Sequence, residues 1–277
     1  MNRRTFLYAG LGAPAAAVPL YTRFLEPEWL KFHEVRCPFF GPSGPDPIRL
    51  LHLSDFHASP PVPNRLIERA IEAGLNAKPD LICLTGDFVT RNSGFDAAWL
   101  ERQLRRVNSA APTFATMGNH DGGVWAHRFG GFRTSDDIGM LIKSSAVRLL
   151  HNDHAAFQAK GHVFDLVGLG DLWSDEMLPE RAFPAVAAER TILLSHNPDT
   201  KDFLKDRRWN LMLSGHTHGG QLSLPYFGTP FAPVRDHRYV AGMKPWNDRL
   251  IQVTTGVGNL HGVRFNCRPE VSLLLLS

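Results

Sequence analysis

Ile48-Arg49-Leu50-Leu51-His52-Leu53-Ser54, followed at once by Asp55-Phe56-His57, is the stretch on which the fold reading turns. The apolar run reads as a buried strand, and its end carries two side chains of metal-ligand type. The same grammar recurs downstream. Asp80 to Thr85 ends at Gly86-Asp87, and Thr113 to Met117 ends at Gly118-Asn119-His120-Asp121. Arg190 to Ser195 ends at His196, and Leu211 to Ser214 ends at Gly215-His216-Thr217-His218. Between the first three runs, Pro63 to Ala77 and Phe95 to Asn108 place apolar residues at helical spacing, among them Leu66, Ile67, Ala70 and Ile71, then Trp99, Leu100, Leu104 and Val107. A strand–helix–strand–helix–strand order implies a parallel sheet with crossover helices. Functional groups in such sheets gather at the carboxyl ends of the strands, where all five motifs sit. His162 to Gly170, Leu250 to Thr254 and Val271 to Leu276 add further strands. The fold class expected is α/β.

The flanks of this segment set the domain organisation. Residues 48–277 read as one domain, and residues 26–47, ending in Gly41-Pro42-Ser43-Gly44-Pro45-Asp46-Pro47, read as a lead-in linker. Residues 1–25 read as an address: Arg3-Arg4 precedes Thr5-Phe6-Leu7 and a weakly apolar stretch from Ala9 to Leu20. This resembles a twin-arginine export signal, with the periplasmic side or the membrane surface as destination. Gly10, Gly12, Pro14 and Pro19 break the stretch, which falls short of the ~20 continuous apolar residues of a spanning helix. The segment is expected as a cleaved signal or as a membrane tether.

Composition bounds the function classes. The 277 residues are 43% hydrophobic and 21% charged, ordinary values for a globular chain with a sizeable core. Thirty basic against 27 acidic residues give a formal charge of +3, too weak a balance for specific nucleic-acid binding. The cysteines, Cys37, Cys83 and Cys267, form no CxxC pair, which argues against a thiolate zinc site. Cys83 lies in an apolar run, and a Cys37–Cys267 bridge has no framework around it.

The motifs supply only carboxylate, imidazole and amide donors, a set suited to divalent ions of hard or borderline character. Asp55 and His57 can bind a first metal together. Asp87, behind Gly86, offers two oxygens and is the natural bridge between two ions. Asn119 adds a neutral amide oxygen and His196 joins it on a second ion, while His216 and His218, straddling Thr217, can go one to each. Taken singly these motifs are weak, since Asp-x-His and Gly-Asp are common. Their order and their shared strand-end placement make the pattern specific. Mn, Fe, Zn, Ni and Co all suit such ligation.

In these residues the chain resembles the calcineurin-like metallophosphoesterase superfamily from Ile48 to the C-terminus. It further resembles the YaeI-type bacterial phosphodiesterases in Ser195-His196-Asn197-Pro198-Asp199, in Gly215 to Gln221 and in Phe231-Ala232-Pro233-Val234. The resemblance implies a four-layer α/β/β/α sandwich with a dimetal centre between two sheets. It puts Asp55, His57, Asp87 and His218 on the first ion and Asp87, Asn119, His196 and His216 on the second. It makes His120 the acid that protonates the leaving oxygen, with Asp121 orienting it. A metal-dependent phosphodiesterase is therefore expected, acting on a small-molecule or lipid-linked phosphoester. Chlamydial enzymes that cleave the UDP-diacylglucosamine intermediate of lipid A synthesis also resemble this chain. They suggest an alternative substrate on the cytoplasmic face of the inner membrane. A non-catalytic binding scaffold would be expected to lack some of these ligands or the histidine at 120. Arg264 and Arg268, in the Pro/Gly-rich tail, are candidates to contact the substrate phosphate, against a bland reading in which Arg268 pairs with Glu270. Of the remaining histidines, His237 and His261 are the candidates to line the cleft.

Overall fold

The protein is described by a computed structural model in which residues 17–41 and 46–277 are placed. The expected export segment therefore lies largely outside the described residues; only 17–25, which are helical, fall within them. No helix among the described residues is long and apolar enough to cross a membrane.

The first sheet contains β1 (Lys31–Cys37), β2 (Ile48–Leu53), β3 (Leu81–Thr85), β4 (Thr113–Thr116), β5 (Arg148–Leu149) and β12 (Glu270–Leu276), in the order β1-β12-β2-β3-β4-β5. The second contains β6 (Asp153–Ala159), β7 (His162–Gly168), β8 (Thr191–Leu194), β9 (Leu211–Ser214), β10 (Gly242–Trp246) and β11 (Arg249–Val253), in the order β10-β11-β9-β8-β7-β6. Strands β2, β3, β4 and β5 run parallel, as do β7, β8, β9 and β11. The strands that carry the ligand motifs thus end at one edge of each sheet.

Alternation along the strands explains why the sheets stack. In β2, Ile48 and Leu50 face the second sheet, while Leu51 and Leu53 face the helices. In β3, Leu81 and Cys83 point inward and Ile82 and Leu84 outward. In β8 and β9, Ile192, Leu194, Leu211 and Leu213 complete the layer between the sheets. Both faces of each central strand are apolar, as expected for parallel strands covered on both sides.

The outer face of the first sheet is covered by α1 (Asn64–Asn76), α2 (Ala97–Ala110) and α4 (Asp136–Ser144). Leu66, Ile67, Ala70 and Ile71 of α1 and Leu100, Leu104 and Val107 of α2 are fully buried there. Each large aliphatic side chain so buried contributes about 1.5–3 kcal/mol. Asp96 caps α2 by accepting a hydrogen bond from the Trp99 amide at 2.9 Å. The fourth layer departs from the expected pattern. The outer face of the second sheet meets the one-turn helix α5 (Pro179–Ala182), two 3-10 segments (Pro198–Phe203 and His237–Tyr239) and the paired rings of Trp209 and Trp246. Large aromatics there do the covering that long helices do on the other side.

The expected linker over 26–47 also turns out differently. Its residues Lys31–Cys37 are strand β1, paired along their whole length with β12. Just before it, the buried Glu26 carboxylate accepts the backbone amides of Asn266 (3.0 Å) and Cys267. A strand is hard to see in this segment's sequence, because turn residues dominate 41–47 and β1 alternates half-buried with exposed positions, the weak signature of an edge strand. Cys37, Cys83 and Cys267 are buried free thiols.

Candidate metal centre

Backbone geometry at the strand ends concentrates the site. Asp55, His57, Asp87, His216 and His218 all have positive φ, from 47° to 68°. This left-handed region costs an ordinary side chain roughly 1–2 kcal/mol, and such residues persist only where their surroundings over-determine them. The turns replace the regular continuation of each strand and aim consecutive ligands inward. Phe56, between two of them, is thrown the other way into the helix-side core. Gly86 is required here twice over: its φ is +83°, and a Cβ would come within 2.3 Å of the Gly118 amide nitrogen. At Gly215 a Cβ would collide with Ser54 and the Asp55 carboxylate.

Asp55, His57, Asp87 and His218 converge so closely that one ligand atom from each lies within 4.8 Å of the others, all buried. His57 Nε2 lies 3.1 Å from His218 Nε2, and His218 Nε2 lies 3.4 Å from Asp55 Oδ1. Beside them, His216 Nδ1 is 2.8 Å from Asn119 Oδ1, and His196 Nε2 lies 3.2 Å from Asp87 Oδ2. The same oxygen of Asp87 is 3.4 Å from His57 Nε2. Asp87 therefore faces an imidazole from each group.

The donors fit divalent cations. Two buried imidazole nitrogens, His216 Nε2 and His218 Nδ1, have no hydrogen-bond partner among the described residues. Orphaned buried polar atoms are costly and call for a partner. Other contacts orient the rings. His57 Nδ1 meets Thr90 Oγ1 at 3.0 Å and His196 Nδ1 meets the Thr85 carbonyl at 2.6 Å. Such outer contacts fix ring orientation in metal sites.

The electrostatics of the cluster follow from burial and crowding. Burial lowers His57 and His216 to about 3, and lowers His218 well below its usual value, with His57 nearby adding to it. Burial works against the charged form of His196 too, but the Asp87, Asp55 and Asp171 carboxylates outweigh it and raise this histidine to about 10. Burial also opposes ionisation of Asp87, yet His196, His120 and His57 hold its carboxyl well below the ordinary range. Burial depresses His120 as well, partly offset by Asp87 and the Thr90 carbonyl.

Several expectations are corrected here. Asp121 does not touch the His120 ring: its carboxylate accepts the amides of Gly118, Asp87, Phe88 and Val89, at 2.7–3.3 Å. It fixes the backbone that carries Asp87. The group holding His120 is the Thr90 carbonyl, 3.1 Å from Nδ1. Arg264 is 0% exposed and does not reach the mouth of a cleft. Its guanidinium donates to the carbonyls of Cys267 (2.8 Å), Thr255 (2.8 Å), Gly256 (3.2 Å) and Gly258 (2.5 Å). The ring of carbonyls around it is the reason it turned inward; burial works against its charge, partly offset by Cys267, Asp55 and Glu26. Arg268 donates to the Trp29 and Leu30 carbonyls and lies 4.2 Å over the Trp29 ring. Glu270, the expected partner of Arg268, instead meets Lys31 and His33. His261 lines a 360 Å³ pocket beside His218, and His237 lines a larger one of 870 Å³ against the edge strands β1 and β10.

Sequence reasoning missed Thr90 and Asp171. Thr90 carries no motif, but it lies three residues after Asp87. Asp171 had a readable signal, since Gly170-Asp171 follows the apolar strand β7 just as Gly86-Asp87 follows β3.

Residues 48–220 match the family model for calcineurin-like phosphoesterases. The chain belongs to this family. It is 41% identical over 277 residues to phosphodiesterase YaeI of Escherichia coli, covering 100% of this chain and 99% of that one. It is 29% identical to the metallophosphoesterase YkuE of Bacillus subtilis, over 100% and 98% of the two chains. It is 25% identical to the UDP-2,3-diacylglucosamine pyrophosphatase LpxG of Chlamydia muridarum, over 82% and 83%. The chain is thus a metal-dependent hydrolase of phosphoesters, and its buried Asp/His group is the place for divalent ions.

Proposed function

We propose that the protein is a phosphodiesterase that works with two divalent ions sharing Asp87. The observation carrying this reading is the single Asp87 oxygen that faces His57 at 3.4 Å and His196 at 3.2 Å. On this reading Asp55, His57, Asp87 and His218 hold one ion, and Asp87, Asn119, His196 and His216 hold the other. Bound there, two such ions would supply Lewis-acid chemistry for phosphoester hydrolysis. The chain itself supplies the proton. His120 donates Nδ1–H to the Thr90 carbonyl, which leaves Nε2 as the nitrogen that takes up a proton and delivers it to the leaving oxygen. The amide of His120 donates to Asp87 Oδ1 at 2.9 Å, so the acid and the shared ligand are held in one frame. Diester preference is supported by the full-length similarity to YaeI.

A second reading, cleavage of a lipid-linked nucleotide pyrophosphate, is favoured by the similarity to LpxG and by the apolar pocket beside His218, whose lining includes Leu222, Phe231, Leu260 and Val263. Arg3-Arg4 supports twin-arginine export, and the exposed Val18, Leu20, Phe24 and Leu25 support peripheral contact with a membrane. A screen of the Mn-, Fe-, Zn-, Ni- and Co-reconstituted chain against mono-, di- and pyrophosphoesters, with an acyl-lipid nucleotide included, tests the substrate reading. Turnover of diesters is expected to dominate, and turnover confined to pyrophosphates would replace it with the second reading. Arg3→Lys with Arg4→Lys is expected to trap the protein in the cytoplasm; unchanged fractionation refutes export by this route.

A further inference from the structure

The wall of the site beside His120 is aromatic, and the metal chemistry leaves it without a role. The Trp125 ring, on α3 (Gly123–Arg128), stands 4.5 Å from the His120 ring at an interplanar angle of 71°. The Trp173 ring stands edge-on to His216 at 4.4 Å. Trp125 lies 5.8 Å from Trp173 and 4.6 Å from Phe129, tilted by 36° and 40°. Three rings thus form a continuous surface running outward from the two histidines. Phe129 is 57% exposed and Trp173 38%. Fully covered aromatics would be ordinary core, whereas these keep much of their surface in water beside the reacting centre.

The surface is held, not loose. The loop after β7 that carries Trp173 is built on Asp171, whose Oδ1 accepts the Trp173 and Ser174 amides, each at 2.8 Å. Asn152 accepts the Gly170 amide at 3.0 Å and the Leu178 amide at 2.8 Å, which ties both ends of the loop together. Ser174 Oγ donates to the Gly122 carbonyl at 2.9 Å, docking the loop on the start of α3. At Gly123, with φ +88°, a Cβ would meet Ser174 at 2.9 Å, so the close approach requires glycine. Two elements from opposite sheets are locked together with their tryptophans adjacent.

We infer that Trp125, Phe129 and Trp173 form the subsite for the leaving arm of the substrate, and that it selects a planar aromatic group. The inference rests on the phosphodiesterase reading. A group attached to the oxygen that His120 protonates must extend past His120, and Trp125 is the ring in contact there. Tilted rings with centroids 4.6–5.8 Å apart offer a rigid π-surface. Such a surface gains from stacking beyond simple area burial. A flexible alkyl chain gains only the area and loses more rotational freedom on binding.

The test uses the metal-loaded full chain and two methyl phosphodiesters whose leaving arms are primary alcohols of similar acidity, 2-(1-naphthyl)ethyl and octyl. The naphthyl ester is expected to have a KM about tenfold or more lower, with similar kcat, since stacking of one aromatic group is worth roughly 5- to 100-fold in affinity. Phe129→Leu, at the ring furthest from the ligands, and Trp125→Leu should raise KM for the naphthyl ester at least fivefold more than for the octyl ester. Trp173→Phe should keep most of the preference that Trp173→Leu loses, with metal content unchanged by elemental analysis. Equal KM values for the two esters in the wild type, or equal losses on both esters in the variants, would overturn the subsite. So would loss of metal in Trp173→Leu together with unchanged preference in the Trp125 and Phe129 variants, because the rings would then only shield His216. Calorimetric binding of the two esters judges the subsite separately: if neither ester is cleaved, the phosphodiesterase reading fails, while a naphthyl preference in binding still supports the aromatic wall and its absence sinks it.

Discussion

The two sheets contribute different chemistry to the same site. The first, through the turns after β2, β3 and β4, supplies Asp55, Asp87 and Asn119, and so every oxygen donor of the proposed centre, with the imidazoles of His57 and His120 beside them. The second, through the turns after β8 and β9, supplies His196, His216 and His218 and only nitrogen. Neither set is complete alone. The oxygens without the imidazoles are a crowded pair of buried carboxylates, and among the imidazoles His216 and His218 are lowered by burial while His196 keeps its proton only because the carboxylates face it. The lesson is that the centre comes into being through sheet packing, and Asp87 is where the halves meet.

The strongest way to break this division is to remove the shared oxygen. Asp87→Ala is expected to lower the content of both ions and abolish measurable turnover, whereas Asn119→Ala, at the edge of one set, should lower chiefly one. Elemental analysis of the purified variants decides it. Full retention of either ion in Asp87→Ala would mean the two sets do not share it.

Next in size is His120, which belongs to the first sheet's end but is not assigned to an ion. His120→Ala should cut turnover by about 10²–10⁴ while leaving metal content near wild type. The fall should be smallest for nitrophenyl esters, whose leaving group needs little protonation. Metal lost together with activity would make it a ligand.

A third test strikes the support behind the second sheet's imidazoles. Arg264 holds the carbonyls of Thr255, Gly256 and Gly258 and reaches the His218 carbonyl at 3.5 Å. Arg264→Ala leaves several buried acceptors unpaired and should destabilise the protein by about 3 kcal/mol or more. For a chain of this size that lowers the melting temperature by several degrees. Arg264→Lys keeps the charge without the planar fork and should recover only part of it. A melt equal to wild type in Arg264→Ala would show that the carbonyl cage does not depend on the guanidinium.

The smallest effect sharpens the comparison through pH. Burial lowers His57 and His216 to about 3, and does the same to His52 in the layer between the sheets. The unfolded chain binds their protons near pH 6.5, so stability falls as pH drops below that value. His196 is raised to about 10, so its contribution is complete below about pH 6.5 and is lost as pH rises toward 10. Metal needs that imidazole neutral, so metal affinity should rise over the same window, with proton release on binding. Thermal melts of chelator-treated and metal-loaded protein from pH 6.5 to 9 should therefore diverge as pH rises. A constant gap would show that His196 holds no proton for the metal to displace.

Much of the first sheet was legible in advance. Its strands and the helices α1 and α2 announce themselves by local period, and the ligand motifs follow apolar runs that need no partner to be recognised. The cover of the second sheet was not legible, because a one-turn helix, two 3-10 segments and scattered aromatics have no period to read. The strand β1 was missed for a related reason, since an edge strand with exposed alternate positions resembles a linker.

What the sequence by itself determined, then, is the class of fold, the strand ends and the identity of the donors, since these depend on neighbours close along the chain. Only the tertiary structure decided who meets whom. It brought Glu26 onto the Cys267 turn, turned Arg264 inward into a cage of carbonyls, gave Asp121 to the backbone of Asp87 and left His120 to Thr90. It also set Trp173 from one sheet beside Trp125 from the other. The physical reason is common to all of these. Periodicity records which face of an element is buried, but a buried polar group takes whichever partner packing brings within reach, and that partner lies far away along the chain.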